Sequence, residues 1–111
     1  MRTGEIWIVN FSPSVGDEMG KARPAVIVND DEMGGLALRI VVPITASIRH
    51  VQPWHIKISP SRSNGLKKES IVDAFQLKSI SENRFTKKIG IVSSKELDEI
   101  KVCIVKVLDL A

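Results

Sequence analysis

The chain has 111 residues, a formal net charge of +3, 43% hydrophobic and 26% charged residues, the balance of an ordinary globular protein with one modest core. Its single cysteine, Cys103, excludes an internal disulfide and every multi-cysteine zinc pattern, and its apolar surroundings mark it as a packed thiol. No apolar run approaches the roughly 18–20 residues that span a bilayer, and Glu5 interrupts the N-terminus too early for a signal peptide. One cytoplasmic domain over residues 1–111 is expected, with a mild basic bias that favours an anionic partner such as nucleic acid.

In chain order, strand signals fill the first four-fifths. Residues 5–11 alternate in part, placing Ile6 and Ile8 inward with Val9 as a further candidate. A polar loop over 12–22, with Pro13, Gly16 and Gly20, leads to the apolar run 24–29. Strand-like runs recur at 36–44, 54–58, 70–80 and 88–92, separated by turn signals at Asn29-Asp30-Asp31, Gly34-Gly35, Ser59-Pro60-Ser61 and Asn64-Gly65. Short strands without intervening helices predict a mostly β fold, a small antiparallel SH3-like barrel or half-barrel. The period then changes: Ser93 and Glu96 fit a capping box, and Leu97, Ile100, Ile104 and Leu108, with Val105 beside them, recur at helical spacing. A C-terminal helix packed on the barrel is expected, its stripe serving as core.

Two places combine rigid backbone with chemistry. Pro24 fixes φ and biases Arg23 towards extended backbone, so a guanidinium stands at the junction of the polar loop and a buried strand. Arg23 is either an ordinary surface arginine or a cation mounted to meet phosphate. The run 38–47 ends on Thr45 and Ser47, which alternation places on one side of the chain. They read either as polar capping residues or as hydroxyls of a site.

Other candidates are weaker. Gly16 to Lys21 lacks one residue and the Ser/Thr of a phosphate-cradling P-loop. His50 and His55 flank Pro53-Trp54 without a third ligand, so neither a metal nor another cofactor is expected. Asp30, Asp31 and Glu32 read as a solvated acidic turn. Trp54 is either barrel packing or part of a partner surface.

Several blocks are familiar in their order: Gly4-Glu5-Ile6-Trp7-Ile8-Val9, Gly16 through Lys21-Ala22-Arg23-Pro24-Ala25-Val26-Ile27-Val28, Val41-Val42-Pro43-Ile44-Thr45, Gln76-Leu77-Lys78-Ser79-Ile80 and Lys88-Ile89-Gly90. Across nearly its whole length the chain resembles the MazF/PemK family of toxin endoribonucleases from bacterial toxin–antitoxin pairs. The resemblance implies an SH3-like barrel with a closing helix, a homodimer, and an antitoxin that lays an acidic tail near Arg23. It also implies metal-independent cleavage of single-stranded RNA: the 2′-hydroxyl attacks phosphorus, leaving a cyclic phosphate and a 5′-hydroxyl.

On that basis Arg23 and Thr45 match the catalytic pair, Arg23 neutralising charge on phosphate and Thr45, helped by Ser47, hydrogen-bonding it. Glu18, Gly20 and Lys21 fall in the loop expected to cover RNA, Lys21 towards phosphate and Glu18 towards a base. Gln76 and Lys78 are further binding candidates. Many relatives carry an acid before the matching glutamine and an arginine two places after it; here those positions hold Phe75 and Lys78. The general base is therefore unassigned, and Phe75 is either core or a stacking platform for a base. Two other readings share the fold: a CcdB-like gyrase poison, and an inactive barrel that binds RNA or protein.

Overall fold

The structure, a computed structural model, describes residues 1–46 and 49–110. Among these, the strands are β1 (Glu5–Asn10), β2 (Ala22–Ile27), β3 (Leu38–Thr45), β4 (His55–Ile58), β5 (Ser70–Asp73), β6 (Lys78–Ser81) and β7 (Phe85–Ile91), followed by the helix α1 (Ser94–Val107). Every pairing is antiparallel, in the order β4-β5-β3-β2-β1-β7, with β6 also on β3. β3 organises the sheet. Leu38–Val41 pairs with β6 and Ile44–Thr45 with β5, while Val41–Pro43 pairs with β2. A mostly antiparallel β fold closed by a C-terminal helix is the architecture expected.

The sheet buries both faces. Ile6, Val26, Val42 and Ile44 meet Ile56, Ile58, Val72 and Ile100 on one side; Val9, Ala25, Ile27 and Val41 meet Phe11 and Ile80 on the other. This explains why β2 and β3 read as continuous apolar runs rather than alternating ones. It also corrects the inward set of β1: Ile6 and Val9 are fully buried on opposite faces, and Ile8 is only half-buried at the sheet's end.

Several element boundaries differ from expectation. β2 begins at Ala22, so Arg23 lies inside the strand, opposite Val9, rather than at its foot. β7 begins at Phe85 instead of residue 88. The run 70–80 is not one strand: the Asp73 carboxylate accepts the Phe75 N–H at 3.0 Å and starts a 3₁₀ turn over Ala74–Gln76. Local capping by an aspartate competes with the ladder and turns the chain.

At the C-terminus the capping box is present, with Ser93 N–H donating to Glu96 Oε1 at 2.8 Å and Glu96 N–H to Ser93 Oγ at 3.1 Å. Ile100 is fully buried, Leu97 and Ile104 are partly so, and Cys103 is half-buried. Leu108 departs from the predicted stripe: it lies beyond α1 and is exposed. The acidic turn is more than solvated, since Asp31 accepts the Thr3 N–H at 2.7 Å and pairs with Arg2 at 3.4 Å. No helix among the described residues is long and apolar enough to cross a membrane.

Two of the sequence blocks have local physical causes. Glu5, buried in the opening strand, accepts from the Trp7 indole at 2.9 Å and pairs with Lys88 of β7 at 3.2 Å. Gly90 allows the 63–65 backbone to lie directly on β7; a Cβ there would overlap Ser63 and Asn64, and Ile91 N–H donates to Ser63 O at 2.8 Å.

Candidate active site

Arg23 and Thr45 come from strands that do not pair at those residues, yet they meet. β2 and β3 run antiparallel with Ala25 opposite Pro43, which puts Arg23 and Thr45 side by side at the same end of the sheet. Arg23 Nη1 donates to Thr45 Oγ1 at 3.2 Å, and Arg23 Nε donates to Gly20 O at 2.9 Å. Only two of the five N–H donors of a guanidinium are used in these bonds. Among the described residues no carboxylate forms an ion pair with Arg23. A half-buried arginine oriented by two neutral oxygens keeps its charge available for an anion, unlike the surface arginine paired with an acid. Thr45 is buried, at 8% exposure, and its hydroxyl accepts from Arg23. Ser47, proposed from sequence as its helper, lies outside the described residues.

The loop between β1 and β2 is closed at its neck and docked at its tip. Phe11 N–H donates to Lys21 O at 2.8 Å and Lys21 N–H to Ser12 Oγ at 2.9 Å. Lys21 adopts φ 66°, left-handed backbone that costs a side-chain-bearing residue about 1 kcal/mol, and its side chain is exposed. At the tip Glu18 accepts the Val15 N–H at 2.7 Å. Gln76 holds the loop from below, accepting from Met19 N–H at 3.4 Å and donating to Asp17 O at 3.2 Å. Lys78 adds a 3.9 Å ion pair with Glu18.

Glu18, Gln76 and Lys78 are thus brought together: Glu18 and Lys78 pair with each other, while the Gln76 amide bonds the loop backbone at Asp17 and Met19. Gly20 contributes its carbonyl to Arg23. Phe75 is not core: it is 64% exposed, and its ring lies 5.5 Å from that of the half-buried Trp54.

Trp54 and Phe75 flank an open groove of about 590 Å³ whose lining also includes Arg49, Asp73 and Gln76. At its floor His55 Nε2 lies 3.6 Å from Asp73 Oδ2, both side chains being 11% exposed. His55 Nδ1 accepts the Gln52 N–H at 2.9 Å, which leaves Nε2 as the ring's donor towards the carboxylate. Sequence reasoning set His55 aside as a strand residue and passed over Asp73; the register of β4 on β5 places them opposite each other. A second groove, about 570 Å³, has an apolar floor of Ile8, Pro24 and Ile44 and is rimmed by Lys67, Lys68, Lys87 and Lys88. No group of His, Cys, Asp and Glu among the described residues is arranged to hold a metal ion.

The small antiparallel barrel presents the Arg23–Thr45 pair beside a docked loop and an aromatic groove. Residues 2–108 match the family described as PemK-like, MazF-like toxin of type II toxin–antitoxin system, and the chain belongs to that family. It is 36% identical over 116 residues to the endoribonuclease MazF9 of Mycobacterium tuberculosis, covering 99% of this chain and 98% of that one. With the Bacillus subtilis endoribonuclease EndoA it shares 28% identity over 102 residues, 90% and 87% of the two chains. Among solved structures, MazF of Deinococcus radiodurans superposes with a TM-score of 0.84 at 22% identity, covering 98% of this chain and 96% of that one. A mycobacterial endoribonuclease in complex with its cognate antitoxin superposes with a TM-score of 0.81 at 18% identity, covering 100% and 97%.

Proposed function

We propose that the protein is a metal-independent, sequence-selective endoribonuclease that cleaves single-stranded RNA by attack of a 2′-hydroxyl on the adjacent phosphorus. The observation that supports this most directly is the Arg23–Thr45 hydrogen bond at 3.2 Å. In such a reaction negative charge grows on the non-bridging phosphate oxygens, and catalysis consists largely of placing donors where it appears. The Arg23 guanidinium supplies charge-assisted hydrogen bonds to those oxygens, and Thr45 Oγ1 a further one. The Gly20 carbonyl and Thr45 hold the guanidinium in place before substrate arrives, so little reorganisation is required. Lys21, exposed beside them, serves the flanking phosphate, and Phe75 with Trp54 offers stacking faces to a base.

The protein acts as a homodimer in the cytoplasm and is silenced by a cognate antitoxin, whose acidic tail competes with RNA for Arg23. A gyrase-poisoning toxin of this fold has no need of a cation oriented for phosphate, and the Arg23–Thr45 pair weighs against that alternative.

Incubation of the protein and of Arg23→Ala with a long single-stranded RNA in excess EDTA tests the proposal. Discrete cuts with 5′-hydroxyl ends, made by the wild type and absent with the variant, are expected. A folded wild type that cuts none of several RNAs overturns it.

A further inference from the structure

Attack by a 2′-hydroxyl requires something to take its proton, and neither Arg23 nor Thr45 is a base. We propose that Asp73, which faces His55 across the β4–β5 ladder, accepts this proton, with the attacking nucleoside seated in the groove between Trp54 and Phe75. This inference rests on the ribonuclease reading given above.

The placement follows from register. Thr45 pairs with Ile71 of β5, and Ile71 and Asp73, two residues apart, project from the same face of that strand. Asp73 is therefore a diagonal cross-strand neighbour of Thr45, about 7–8 Å away between Cα atoms. The opposite face is taken by Val72 and Ile44 in the core. His55 is opposite Asp73 on β4 and so shares the face of Thr45. Both members of the pair line the groove that Gln76 borders, and Gln76 holds the loop whose Gly20 orients Arg23. In this proposal a phosphate on Arg23 and Thr45 has its 5′-side nucleoside over Asp73.

The two carboxylate oxygens have different tasks. Oδ1 accepts the Phe75 N–H and starts the 3₁₀ turn. Oδ2 faces His55 Nε2–H at 3.6 Å, longer than a hydrogen bond, and keeps lone pairs for an incoming hydroxyl. Arg49 and His50 are the other ionisable groups lining the groove. In the reaction the 2′-O–H proton moves to Oδ2 as the 2′-oxygen bonds to phosphorus and the P–O5′ bond breaks. The leaving 5′-oxygen takes a proton from water, and Asp73 returns its own to solvent.

The test uses Asp73→Asn, whose side-chain oxygen can still cap Phe75, and a short RNA with one mapped cut, in EDTA. Single-turnover cleavage is expected to fall about 10²–10⁴-fold, while affinity for the same RNA with a 2′-deoxy nucleotide at the cut stays within about threefold. Formate should restore cleavage to Asp73→Ala in proportion to its concentration, which a structural role would not allow. A wild type that cuts, with Asp73→Asn equally fast or with rate and affinity falling together, overturns this inference alone. A wild type that cuts nothing overturns the ribonuclease reading and this one with it.

Discussion

At the scale of single residues, Arg23 has demands on its shape as well as its charge. It donates from Nε to Gly20 O and from Nη1 to Thr45 Oγ1, and lysine cannot reproduce that fork. Arg23→Lys is therefore predicted to lose about 10²–10³-fold in cleavage rate, the cost of one misplaced donor to a developing charge, with its unfolding temperature unchanged. Near wild-type turnover by Arg23→Lys would contradict the oriented-fork account. Glu5 makes a separate prediction about stability. Burial pushes its carboxyl up, but the Trp7 indole, the Arg2 backbone and Lys88 outweigh it and hold it below the ordinary 4.5. Its folded form is thus the better carboxylate, so the stability it contributes is present above the unfolded-chain value. That contribution is lost as pH falls through the lower folded value. Urea unfolding of Glu5→Gln should show a loss of about 1–2 kcal/mol at neutral pH and a shallower decline than wild type below pH 4.5; parallel pH profiles would refute it. Arg23 and Thr45 were singled out in the sequence by the family resemblance, since the local signal left each open between an ordinary polar residue and a site residue; the structure brings them within hydrogen-bond distance. The His55–Asp73 pair was not legible, because it depends on how β4 registers against β5 across intervening loops.

Among the elements, the loop over residues 11–21 is the one that carries the Gly20 carbonyl bonded to Arg23. Gln76 contributes two side-chain bonds to it, from Met19 N–H and to Asp17 O, each worth about 0.5–1.5 kcal/mol. Gln76→Ala should speed amide exchange across this loop by roughly tenfold, since about 1.4 kcal/mol is a factor of ten in the opening equilibrium, and leave the core amides of β2 and β3 unaffected. Hydrogen exchange read by mass spectrometry decides this; an unchanged loop would mean that the neck bonds at Phe11 and Lys21 suffice. Strand and helix positions were largely readable from periodicity, and the capping box located the start of α1 to the residue. The break at Ala74–Gln76 was missed because the apolar pattern runs through it, whereas Asp73 imposes the turn with its side chain. Leu108 was misassigned because its helical spacing continues past the end of α1, where the side chain is exposed.

For the whole molecule, cation placement matters more than the net charge of +3. Arg23 and Lys21 stand at one end of the sheet, and four lysines rim the apolar groove that includes Pro24. An acidic peptide containing apolar residues should inhibit cleavage competitively with RNA, and more weakly as salt rises to 0.5 M, because exposed charges are then screened within a few ångströms. Salt-independent or non-competitive inhibition would place the partner elsewhere. The central claim is that the RNA's own 2′-hydroxyl is the nucleophile and that the protein orients the phosphate for it. The most direct measurement is cleavage of an RNA carrying a single 2′-deoxy nucleotide immediately 5′ of the mapped cut, beside the unmodified strand. Loss of cutting at that bond with binding retained is the predicted result; continued cutting there would mean that water attacks the phosphorus, and would contradict the account.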